Sequence, residues 1–241
     1  MGDPLAGARE RVQQELRESA RVKLALAEVA SAVIPDMAQM VVESLRSGGK
    51  VVFFGNGGSA GDAQHLAAEF IGRFRLERQP LAAIALTTNT SVLTAIGNDY
   101  DYDQVFVRQV EALVGAKDVV VGISTSGSSR SVLYAMHAAR KKGARCFGFT
   151  GQRGSELEAM CDICLMVPSA DTAHIQECHI AAGHALCGLV EQAMLQPVSL
   201  LSKQPKIRDT FSDRAGMVRR QAQNRAEVDP PLRRRRASRA V

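Results

Sequence analysis

The chain has 241 residues, 46% of them apolar and 23% charged, with five cysteines and a formal net charge of +5. That composition excludes a disordered chain, a fibre and a disulfide scaffold, and an odd, irregularly spaced cysteine set fits a reducing cytoplasm. No run of eighteen apolar residues occurs and Met1–Lys23 is charged throughout, so neither a membrane span nor a standard secretory signal is expected.

In chain order, residues 5–47 read as helical. Leu16, Ala20, Leu24 and Ala27 share one stripe. Pro35 is expected to start a second helix with Met37, Met40, Val41 and Leu45 on its apolar side, and Gly48-Gly49 to end it. Such a helical segment packs either on its own core or on a partner chain. Then short apolar runs alternate with helical stretches. The expected strands are 51–54, 82–86, 119–123, 146–149 and 163–167. Helices are expected at 62–74, 103–114, 131–142, near 156–160, and at 173–195. Continuous apolar strands separated by helices predict a five-stranded parallel sheet in an α/β sandwich, buried on both faces.

Pro197 marks a boundary. Residues 197–241 hold 12 of the 30 Lys+Arg and four of the 25 Asp+Glu, a net +8 that leaves −3 for the first 196 residues. The expected organisation is an N-terminal helical segment 1–47, a core domain 48–196 and a basic, flexible tail 197–241. The tail is a solvated extension or a contact for an acidic partner, and any nucleic-acid contact would rest on it alone.

Ligands of an open parallel sheet bind at the carboxyl ends of its strands. Two loops stand there: Gly55-Asn56-Gly57-Gly58-Ser59-Ala60-Gly61 after the first strand, and Ser124-Thr125-Ser126-Gly127-Ser128-Ser129 after the third. Each opens a helix, so backbone N–H groups and the positive helix end face an anion, and the hydroxyls add neutral donors. Neither is followed by the Gly-Lys-Ser/Thr of a nucleoside triphosphate loop. A lysine-free serine cradle suits a sugar phosphate, although one such loop alone could be a tight turn.

The first loop leads to His65 and Glu69, four apart on one helical face, with Arg73 continuing it. This pattern serves acid–base work, metal ligation or a plain surface pair. Asp171 or Thr172 can cap the last long helix, which carries Gln176, His179 and His184. Gln176 and His184 are two turns apart, about 12 Å. Gly97-Asn98-Asp99-Tyr100 reads as a polar turn that accepts sugar hydroxyls or makes an Asx turn. Cys161 and Cys164, a lone C-x-x-C, read as buried small hydrophobes.

Taken together and in this order, Gly55–Ser59, His65–Glu69, Gly97–Tyr100, Ser124–Gly127, and Asp171-Thr172 with Ile175-Gln176-Glu177 and His184 resemble the phosphoheptose isomerase family of sugar isomerase (SIS) domain proteins. The likeness covers about residues 10–196. It implies an αβα sandwich and a cytoplasmic homotetramer with interface active sites. The implied reaction converts sedoheptulose 7-phosphate to D-glycero-D-manno-heptose 7-phosphate in bacterial heptose synthesis. By position, Ser124, Thr125, Ser126 and Ser129 match the phosphate cradle. Asn56, Gly57, Gly58 and Ser59 match substrate-loop residues, and Asn98, Asp99, Asp171 and Thr172 match sugar-facing ones. The resemblance implies a zinc site at His65, Glu69, Gln176 and His184, with Glu69 and His184 as base and acid. Ser128 stands where asparagine is common, and Ala173-His174 replaces a common Pro-Arg pair. Two alternatives stay open: a non-catalytic relative that binds the replication initiator, which lacks the glutamate and last histidine kept here, and a sugar-phosphate sensor.

Overall fold

A computed structural model describes residues 5–196, so the basic tail lies outside the described residues. The elements in order are α1 (Ala8–Arg46), β1 (Val51–Gly55), α2 (Gly58–Ile71), β2 (Ala83–Ala85), α3 (Thr90–Asp99), a 3-10 turn (Tyr102–Gln104) and α4 (Val107–Leu113). They continue with β3 (Val119–Ile123), α5 (Arg130–Lys141), β4 (Arg145–Gly151), α6 (Ser155–Glu158), β5 (Ile163–Val167) and α7 (Thr172–Leu195). The five strands form one parallel sheet in the order β2-β1-β3-β4-β5.

Side chains alternate across a strand, and here each alternate set meets its own helical layer. Val51 and Phe53, Val119 and Val121, and Phe147 and Phe149 face α1, α2 and α7. Val52 and Phe54, Val120 and Cys146 face Phe106, Val132, Met136 and Leu157 on the opposite side. Full burial of each such phenylalanine contributes about 2–3 kcal/mol before the entropy of ordering the chain is subtracted. Two-sided burial is why these strands read as unbroken apolar runs.

Four local expectations need correction. First, α1 runs unbroken through Pro35. An internal proline costs about 3 kcal/mol, but Val22, Leu26, Ile34, Met37, Ala38, Val41 and Val42 bury one continuous stripe against the core, and that packing prevails. Second, the expected stripe of Leu16 and Leu24 faces outward, 65% and 76% exposed, with Val12 and Leu5 beside it. The covered face is the neighbouring one, which also sets Ser19 and Lys23 on Glu177. By length and composition α1 could cross a membrane, but its apolar stripe lies on α7 and β5.

Third, Asn98 and Asp99 end a helix rather than forming a separate turn. Asn89 caps α3 by accepting from the Val92 N–H at 3.1 Å. Fourth, the segment expected as one helix at 103–114 divides into the 3-10 turn, capped by Asp101, and α4. The crossover between β1 and β3 makes neighbours of the loops that follow them, and this places the two glycine- and serine-rich loops side by side.

Candidate active site

The two loops are hydrogen-bonded to each other. The Asn56 amide donates to Ser129 Oγ and Ser131 Oγ, each at 2.9 Å, and its Oδ1 accepts from the Tyr102 hydroxyl at 2.9 Å. The first loop is shorter than expected, because Gly58, Ser59, Ala60 and Gly61 already belong to α2. The second is shaped by Ser124, whose Oγ accepts from the Gly127 N–H at 3.2 Å. Gly127 has φ +69, and a Cβ there would overlap the Cα of Gly154. Only glycine lets these two backbones touch. A cavity of about 360 Å3 opens beside this loop, lined by Thr125, Ser126 and Ser128 on one wall and Arg153, Ser169 and Thr172 on the other. Asp171 caps α7, accepting from the Ala173 and His174 N–H groups at 2.9 and 3.1 Å.

Two to three turns along α2 lies the second half of the site. His65 Nε2 is 2.8 Å from His184 Nε2 on α7 and 3.3 Å from Glu69 Oε1. Donor atoms of all three residues lie within 4.8 Å of one another. The i,i+4 spacing puts His65 and Glu69 on one face of α2, and the packing of α7 on α2 brings His184 to them. Phe74 stacks on the His184 ring at 5.4 Å and 25°. Burial, then nearby His65 and Arg75, push the His184 imidazole below its ordinary value, with Glu69 pulling the other way. A neutral imidazole offers a lone pair.

Gln176 sits about two α2 turns nearer the N-terminus, directly against Gly58. A Cβ on Gly58 would overlap its amide. Beside it, burial pushes the Asp62 carboxyl up to about 6, against the Gln176 amide and His65. Arg73 lies past the end of α2 and pairs with Glu77 at 3.7 Å on the surface, so it does not continue the His65–Glu69 face. Asn98 and Asp99 bond each other at 2.8 Å at the exposed end of α3. His179 points away from His184 into the core, with its ring 5.8 Å from Phe149.

Two features had no counterpart in the sequence reading. One is Arg153 on the cavity wall. The other is an ion pair between Arg78 and Glu191 at 3.1 Å. Glu191 accepts from the N–H groups of Phe74, Arg75 and Leu76 at 2.8–2.9 Å. Arg78 donates to the carbonyls of Glu69 and Phe70 at 2.7 and 2.9 Å. The pair thus ties the end of α2 and the loop carrying Phe74 to α7.

The donor set fits a borderline divalent metal. Two imidazoles and a carboxylate are the nitrogen and oxygen ligands zinc takes, and tetrahedral bonds would set ligating nitrogens roughly 3.3 Å apart, close to the spacings here. Among the described residues Gln176 makes no hydrogen bond to this trio.

An SIS domain family model matches residues 16–151. The chain is similar to the phosphoheptose isomerase of Aquifex aeolicus, with 50% identity over 187 residues, covering 78% of this chain and 98% of the relative. It is 54% identical over 185 residues to that of Roseiflexus, covering 77% and 94%. Its fold is similar to the solved phosphoheptose isomerase of Neisseria gonorrhoeae, with TM-score 0.73, 44% identity, and 77% and 99% of the two chains covered.

Proposed function

The chain belongs to the SIS domain family, and from that membership we infer that it is an isomerase of heptose phosphate, converting sedoheptulose 7-phosphate to D-glycero-D-manno-heptose 7-phosphate. The observation that carries the chemistry is the meeting of Glu69 and His65 on α2 with His184 on α7, on the helix whose first turn adjoins the serine loop. From Gly58 to His65 is about 10 Å along the helix. A phosphate held at one end places the other end of an extended seven-carbon sugar at the cluster.

In this reading the Ser124–Ser129 loop binds the phosphate through hydroxyls and the N-terminus of α5. Glu69 removes a proton from C1 of the ketose, giving an enediol, and returns it to C2. His184 accepts the proton from one sugar oxygen and delivers it to the other. Asn56, Ser59, Thr172 and Gln176 orient the hydroxyls between these ends. His65, Glu69, His184 and Gln176 would hold a zinc ion. When bound, that cation polarises the carbonyl.

A homotetramer with interface sites is part of the same proposal. It is supported by the exposed apolar residues Val12, Leu16 and Leu24 on α1. Asn98 and Asp99 would then reach sugar from a neighbouring subunit. The five cysteines are all free thiols, which supports a cytoplasmic setting. Glu69 and His184 are both present and juxtaposed, which weighs against the non-catalytic alternative.

The test is incubation with sedoheptulose 7-phosphate, with and without a chelator, followed by NMR of the product. An aldose anomeric signal that grows without the chelator supports the reading. A fully folded, metal-supplied protein that leaves the ketose unchanged overturns it.

A further inference from the structure

The polar lining of the cavity beside the serine loop is mostly hydroxyl groups. Thr125, Ser126, Ser128, Ser169 and Thr172 offer hydroxyls, and among the described residues Arg153 is the only cationic one lining it. Arg130, at the start of the helix that follows the serine loop, is engaged with Asp103 at 2.9 Å. Arg153 makes no hydrogen bond or ion pair among the described residues. Its guanidinium is therefore free for a ligand.

Its position is fixed by the backbone on either side. The Gly151 N–H donates to the Thr125 carbonyl at 3.2 Å, and the Gln152 N–H donates to the Ser169 carbonyl at 3.1 Å. Gly154 presses on Gly127 so closely that no Cβ fits between them. The segment carrying Arg153 is thus stitched to the serine loop on one side and to the approach to α7 on the other.

A phosphate monoester is largely dianionic at neutral pH. Hydroxyls and a helix end can hold such a group but supply no full positive charge. The first 196 residues carry a net −3, so the body as a whole repels it weakly. A guanidinium matches two phosphate oxygens at once. We propose that Arg153 is a specificity-determining residue, the charged contact to the substrate phosphate, closing the serine loop from the opposite wall. This rests on the isomerase reading of the site.

The experiment compares wild type with Arg153→Ala and Arg153→Lys. Readouts are steady-state kinetics on sedoheptulose 7-phosphate and calorimetric binding of inorganic phosphate as a probe. Arg153 is exposed, so the variants should keep the fold, checked by circular dichroism. The expected result is a KM raised roughly tenfold in Arg153→Ala, kcat within about twofold, and phosphate bound roughly tenfold more weakly. Lysine should restore part of both, because it keeps the charge and loses the fork. Unchanged KM and unchanged phosphate affinity overturn the proposal, and so does a fall in kcat at constant KM. If wild type does not isomerise the ketose while phosphate binding still depends on Arg153, the anion contact stands and the heptose reading falls.

Discussion

Arg78 and Glu191, 113 positions apart in the chain, meet at 3.1 Å with side chains 4% and 1% exposed. Burial alone would raise the Glu191 carboxyl, but three backbone N–H groups and the Arg78 guanidinium hold it below its ordinary value. Removing one partner leaves a buried charge uncompensated. Arg78→Met should therefore lose about 3–5 kcal/mol of stability, read from the denaturant midpoint. Glu191→Gln keeps the shape and should lose less. A midpoint unchanged in both would show the pair to be idle.

The acid–base assignment rests on Glu69 and His184. Glu69→Gln and His184→Asn keep size and polarity but cannot exchange protons in the same way. Each should lower kcat by about 10²–10⁴-fold with KM little moved. Near-normal turnover in either variant removes that residue from the mechanism.

Metal content can be read without turnover. Native mass spectrometry of wild type supplied with zinc should show one ion per chain, and a ligand that binds only the folded state raises Tm. His65→Ala should lose both the ion and the Tm increment. Equal stoichiometry in wild type and variant would place any bound ion elsewhere.

Burial pushes His179 down to about 4, whereas in the unfolded chain it titrates near 6.5. As pH falls, the unfolded state takes the proton first. Stability present above about pH 6.5 is lost progressively toward pH 4, up to about 3 kcal/mol from this group. His179→Leu should flatten that part of the stability–pH curve. An identical curve for the variant would assign the acid loss to other groups.

Gly127 carries a left-handed backbone and a contact that no side chain fits. Gly127→Ala should distort the serine loop, costing about 1–3 kcal/mol and weakening phosphate binding at least as much as Arg153→Ala. Unaltered phosphate affinity would mean that the loop does not hold the anion.

Much of this architecture was legible because it follows from local pattern. The strands Val119–Ile123 and Ile163–Val167 fall where their apolar runs predict. His65 and Glu69 share a face by spacing alone. What escaped is long-range or depends on competing local terms. No periodicity announces Arg78 with Glu191, since each finds its partner only through the packing of α7 on α2. Arg153 sits in a turn with no pattern, and its relevance comes from the Thr125 and Ser169 carbonyls that anchor its neighbours. Pro35 misled because its local cost is real, and Leu16 and Leu24 because an apolar stripe does not say which neighbour covers it. The signal for α3 was present in Asn89 followed by Val92, Leu93 and Ile96, a cap ahead of an apolar i, i+1, i+4 set.

The sheet's two margins have a consequence for how copies of this chain can associate. One margin is β2, a mere three residues long, and the other is β5, with α1 packed against it. Short or covered borders resist templated strand addition. A margin three residues long gives an incoming extended chain few backbone groups to pair with, which disfavours the route by which such chains polymerise into fibrils.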